Sequence, residues 1–104
     1  MTTYFVTRHK GAVEWARMQG IEAISMSHLD PARIKSGDTV IGTLPVHLAA
    51  EVCAQGGRYL HLTMTIPERM RGRELSALDM NELGALLIQY HCSKAPEETG
   101  DDNE

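Results

Sequence analysis

The chain has 104 residues, enough for one core and too few for a separate catalytic domain. Hydrophobic residues make up 42% and charged residues 23%, the balance of an ordinary globular protein rather than a fibrous or membrane-spanning one. The formal charge of −4 conceals a division: Glu97 to Glu104 hold five acids and no base, leaving ten Lys/Arg against nine Asp/Glu elsewhere. A nearly neutral body offers no strongly basic surface for duplex nucleic acid, but a small anionic ligand remains compatible with it. The acidic stretch reads as disordered, so we expect a domain over residues 1–92 and a disordered tail over residues 93–104.

Tyr4-Phe5-Val6-Thr7 is a short β-rich run, followed by a helical pattern from about Gly11 to Gln19 with Gly20 as its stop. Ala23-Ile24-Ser25-Met26 reads as a second strand. Ser36-Gly37-Asp38 turns the chain into a third, Thr39-Val40-Ile41-Gly42, and a helix spans about Pro45 to Ala54. Tyr59 to Met64 alternates as a fourth strand. Thr65 to Arg73 reads as an arginine-rich loop, and a last helix from about Leu78 to His91 would place Leu83, Leu86, Leu87 and Tyr90 on one face. Its start carries two competing signals, Ser76-x-x-Asp79 and Asp79-x-x-Glu82. This order predicts a single α/β domain, Rossmann-like, with a mainly parallel sheet of about four strands and helices on both faces.

The opening Met1-Thr2-Thr3-Tyr4-Phe5-Val6 lacks the basic region and apolar run of a signal peptide. No stretch approaches the roughly 20 apolar residues of a membrane span, so a cytoplasmic protein without a membrane partner is expected. Cys53 and Cys92 sit in apolar, helix-like surroundings and read as buried or inert thiols. No CxxC or comparable ligand spacing occurs, and neither a metal nor a cofactor is expected.

Two strand-to-helix turns carry the candidate chemistry. Thr7-Arg8-His9-Lys10-Gly11 follows the first strand, and Gly42-Thr43-Leu44-Pro45-Val46-His47 follows the third. The free N–H groups and positive dipole at a helix start favour an anion there. Arg8 is suited to bidentate phosphate contact, and an imidazole such as His9 or His47 is able to move a proton near neutral pH. Lys10 would support the field. Gly42 would admit a phosphate to the backbone while the Thr43 hydroxyl binds it; the competing reading makes Thr43 a plain helix cap. Arg69, Arg71 and Arg73 form either a solvated loop or a lid over a polyanion. In an open α/β sheet these segments share the carboxyl edge of the strands. His61 lies inside an alternating strand and is expected to face a helix or a partner chain, and His28 is placed to cap the end of the second strand.

The chain contains no GxxxxGK[ST] loop, GxGxxG fingerprint, GxSxG elbow or HExxH motif, and no acidic pair spaced for two metal ions. A phosphodiester would then be cut through an internal nucleophile, the 2′-OH of RNA attacking its own 3′-phosphate, with the protein supplying alignment and charge.

Val6-Thr7-Arg8-His9-x-Gly11-Ala12-Val13-Glu14-Trp15 and Gly42-Thr43-Leu44-Pro45-Val46-His47-Leu48-Ala49 resemble the small type III CRISPR-accessory ring nucleases, marked by an N-terminal VTRHxGAVEW motif. The similarity extends over roughly residues 3 to 91. It implies a homodimer that binds cyclic tetra-adenylate and linearises it without metal, switching off the second messenger of type III CRISPR defence. Carried onto this sequence, it implies Thr7, Arg8 and His9 at one site and Thr43 and His47 at the other, with Arg8 on the scissile phosphate. Tyr59, Met64 and the leucine-rich last helix become interface candidates. The alternative is a protein that binds the cyclic oligoadenylate without turnover. A nucleotide-binding domain and a partner-binding subunit are weaker readings.

Overall fold

In the computed structural model, which describes residues 1–96, five strands form one sheet in the order β2-β1-β3-β4-β5. They are β1 (Thr3–Val6), β2 (Ile24–Met26), β3 (Thr39–Gly42), β4 (Arg58–Thr63) and β5 (Leu86–Tyr90). The first four run parallel, and β5 returns antiparallel along the edge of β4. The sheet thus has five strands where about four were expected. Period-two alternation places successive side chains of each strand on opposite faces, and both faces are covered.

On one face, α1 (Lys10–Met18) and α3 (Ala77–Glu82) pack Ala12, Trp15, Ala16 and Met80 over Phe5, Ile41 and Leu62. On the other, α2 (Val46–Ala54) and a 3-10 turn at Pro31–Arg33 bring Ala49, Val52 and Ile34 onto Tyr4, Val40 and Tyr59. Phe5, Ile41, Val40 and Val52 are fully buried, each stabilising the fold by roughly 1.5–3 kcal/mol. No helix among the described residues is long and apolar enough to cross a membrane.

The predicted last helix stops after six residues, at Glu82. Gly84 adopts φ +74°, a left-handed conformation that a side chain disfavours. The Gly84 N–H donates to Asn81 and the Ala85 N–H to Met80, which closes a Schellman motif and satisfies the terminal carbonyls. Beyond it, Leu86-Leu87-Ile88-Gln89-Tyr90 extends as β5 instead of continuing the helix. Leu87 therefore faces the core side with Leu62, while Leu86, Ile88 and Tyr90 lie on the opposite face. At the other end of α3, the Ser76 hydroxyl accepts from the Asp79 N–H and the Asp79 carboxylate from the Ser76 N–H. Of the two capping signals, Ser76-x-x-Asp79 is the one used.

The expected tail at residues 93–104 lies outside the described residues from Glu97 onward; Ser93 to Pro96 are exposed and carry no regular structure.

Asp38 is buried at the start of β3, where its carboxylate accepts the N–H groups of Thr2 and Lys35, both at 2.9 Å. The Lys35 N–H first, and then that of Thr2, hold its pKa below the ordinary 3.8, because both bonds favour the ionised form. A depressed folded-state pKa contributes stability that is complete above the unfolded value and is lost as pH falls through the folded one. Asp38→Asn is expected to lower the melting temperature at pH 7. The gap to the unmodified chain should narrow below about pH 4 as the carboxylate protonates; thermal unfolding followed by circular dichroism across this range checks it.

Candidate functional site

The sheet order reverses direction between β1 and β3, since α1 leaves β1 toward one face and α2 leaves β3 toward the other. Such a switch point opens a crevice beyond the carboxyl ends of the two strands. A cleft of about 420 Å³ lies there. Its polar wall comes from both predicted turns, with Thr7 and His9 after β1 and Gly42 and Thr43 after β3. Phe5, Leu62, Met64 and Ile66 form its apolar floor and sides, and the segment Gly72-Arg73-Glu74-Leu75 closes the remaining wall.

His9 is the N-cap residue of α1, without a side-chain capping bond. Its backbone N–H donates to the Thr7 hydroxyl at 3.1 Å. Its ring Nδ1 lies 2.9 Å from the Glu74 carboxylate. An ionised carboxylate only accepts, so Nδ1–H donates, and in the neutral ring Nε2 is then the proton acceptor. This is the arrangement of a base oriented by a carboxylate.

Gly11 explains how Glu74 comes to be there. A side chain at position 11 would collide with the Leu75 carbonyl, so only glycine lets the first turn of α1 sit against the backbone that carries Glu74. Arg73 joins the same wall and also approaches Asp79 at 3.8 Å.

The second turn is held from below. The buried Tyr59 hydroxyl accepts from the Leu44 N–H at 2.8 Å and donates to the Gly42 carbonyl at 3.1 Å. It also lies 2.7 Å from His61 Nδ1. The hydroxyl has one proton for two neighbours, so either His61 donates Nδ1–H to the phenol oxygen or Nδ1 accepts the phenol proton in place of Gly42, according to the His61 tautomer. Burial raises the Tyr59 pKa, and the Leu44 N–H opposes the rise, so the phenol stays protonated at neutral pH.

The remaining sequence candidates lie elsewhere. The Arg8 guanidinium is exposed and approaches His28 Nε2 at 3.5 Å. Lys10 opens α1 and is exposed. Arg69 sits in a 3-10 turn at Glu68–Met70, with Arg71 just after it; both are exposed and neither lines the cleft. His47 stands in the first turn of α2 but lines a different, larger groove of about 800 Å³, between α2 and the segment from His91 to Lys94. Thr43 is not the cap of α2, whose N-cap is Pro45. Gly42 has a structural reason to lack a side chain, since a Cβ there would stand 2.8 Å from the Val6 carbonyl. Among the described residues, no group of three or more His, Cys, Asp or Glu is placed to hold a metal ion.

Residues 4–93 match the family model described as "Putative CRISPR-associated protein (Cas_VVA1548)". The chain belongs to this family. No curated protein and no solved structure matches the chain significantly. The family model covers both turns, the Tyr59–His61 pair and the Glu74 wall.

Glu74, Tyr59 and His61 were not singled out as site residues by the sequence. Glu74 stands 65 positions from His9 and reads locally as an acid that offsets neighbouring arginines. Tyr59 and His61 did carry a signal, because residues two apart on a strand share a face. Tyr59 is only 2% exposed and is therefore no interface residue in this fold.

Tyr59→Phe removes the one hydroxyl that ties Leu44, Gly42 and His61 together, and the half-buried Leu44 N–H loses its side-chain acceptor. It should destabilise the fold by roughly 1–3 kcal/mol, measured by urea unfolding. Amide hydrogen exchange should speed up at Leu44 more than in α1.

Proposed function

We propose that this protein is a metal-independent ring nuclease that binds cyclic tetra-adenylate and linearises it, ending the signal that activates type III CRISPR effectors. Membership in a CRISPR-associated family supports the setting. The observation that carries the reading is the His9–Glu74 pair at the mouth of a cleft shared with Thr7, Gly42 and Thr43. In this reading His9 Nε2 takes the proton of a ribose 2′-OH. That oxygen attacks the adjacent phosphorus, and the bond to the 5′-oxygen breaks. The 5′-oxygen gains a proton, leaving a linear product with a 2′,3′-cyclic phosphate. Arg73 in the cleft wall offsets the phosphate charge, and the Thr7 and Thr43 hydroxyls orient it. His47 is assigned no step, because it opens onto the other groove.

The ligand is larger than one cleft. About 420 Å³ suits a single nucleotide better than a ring of several, so the reading includes a second copy of the chain. A surface for it is available: Leu86, Ile88 and Tyr90 line one face of the edge strand β5 and remain 49%, 37% and 48% exposed. A two-fold pair would bury this apolar strip and present each cleft twice.

Incubating the protein with labelled cyclic tetra-adenylate in EDTA should yield linear products ending in 2′,3′-cyclic phosphate. Bound but intact ligand after prolonged incubation with excess protein would favour the binding-only alternative, and absence of binding would reject both. His9→Ala should slow cleavage by roughly 10²- to 10⁴-fold with binding retained, whereas His47→Ala should stay near the unmodified rate. Ile88→Asp should convert a dimer to a monomer in sedimentation analysis; a monomeric unmodified chain would contradict the paired arrangement.

A further inference from the structure

Cys53 and Cys92 are separated by 39 positions, yet the fold brings them together. Cys53 lies near the end of α2 and Cys92 just beyond β5. The Cys92 N–H donates to the Cys53 sulfur at 3.4 Å, and the Cys53 thiol approaches the Tyr90 carbonyl at 4.0 Å. The Cα of Cys92, one bond from that nitrogen, is therefore no more than about 5 Å from the Cys53 sulfur. Neither residue is fully buried. Both are free and partly exposed, and both line the groove of about 800 Å³ beside α2.

We propose that Cys53 and Cys92 form a reversible intramolecular disulfide by exchange with low-molecular-weight disulfides such as oxidised glutathione. One thiolate attacks a glutathione sulfur, forming a mixed disulfide and releasing one glutathione thiolate. The second cysteine thiolate attacks the protein-side sulfur and expels the other. Two protein thiols are oxidised and one glutathione disulfide is reduced to two thiols. The bond clasps residues 91–94 to α2 and fastens the free end of edge strand β5. This proposal is independent of the nuclease reading.

The test equilibrates the folded full chain with graded mixtures of oxidised and reduced glutathione, then quenches with acid. The expected result is loss of both titratable thiols, a mass decrease of about 2 Da, and a proteolytic peptide pair joined Cys53 to Cys92. The bond should form at an oxidised-to-reduced ratio at least about tenfold lower in buffer than in urea, because the fold holds the thiols together. Cys53→Ser and Cys92→Ser should each retain one glutathione adduct. Two persistent thiols, one adduct on each cysteine, bridges between chains, or equal ratios in buffer and urea would overturn the proposal.

Discussion

Val6 lies opposite Gly42 in the parallel pairing of β1 and β3, and a side chain at position 42 would meet the Val6 carbonyl. This close contact aligns the carboxyl ends of the two strands. The crossovers that follow diverge, α1 to one face and α2 to the other, and the gap between them becomes the cleft. The sheet also buries Phe5 and Ile41 on one side and Tyr4 and Val40 on the other, so the strands that carry the site are also the centre of both cores.

Two further contacts turn that gap into a chemical site. Gly11 allows the start of α1 to rest on the backbone after Glu74, which brings a carboxylate to His9. Tyr59, reaching up from β4, ties the backbone of Gly42 and Leu44. The two turns are thereby fixed from opposite sides of the sheet. Each device lies within two residues or one strand of the groups that would meet a ligand.

The parallel sheet, α1, α2 and the first four strands were legible because their periodicity and their glycine stops agree. Gly20 and Gly56 end α1 and α2 with the same Schellman bonding that Gly84 uses for α3. The signal at Gly84 was outweighed by the leucines on either side, whose helical spacing is equally compatible with a strand; pairing with β4 decides the matter. At the site, both turns were legible from local sequence. His47 was grouped with His9 by analogy of position, yet the opposite directions of the two crossovers separate them. The His9–Glu74 pair and the Cys53–Cys92 pair are long-range contacts that one sequence does not encode locally.

The proposed place of the ligand is the switch-point cleft rather than the groove beside α2. Amide chemical-shift mapping during titration with cyclic tetra-adenylate tests this directly. The largest changes are expected at Thr7, His9, Gly42, Thr43 and the segment from Gly72 to Leu75. Changes confined to His47, Glu51 and the segment from His91 to Lys94 would contradict it.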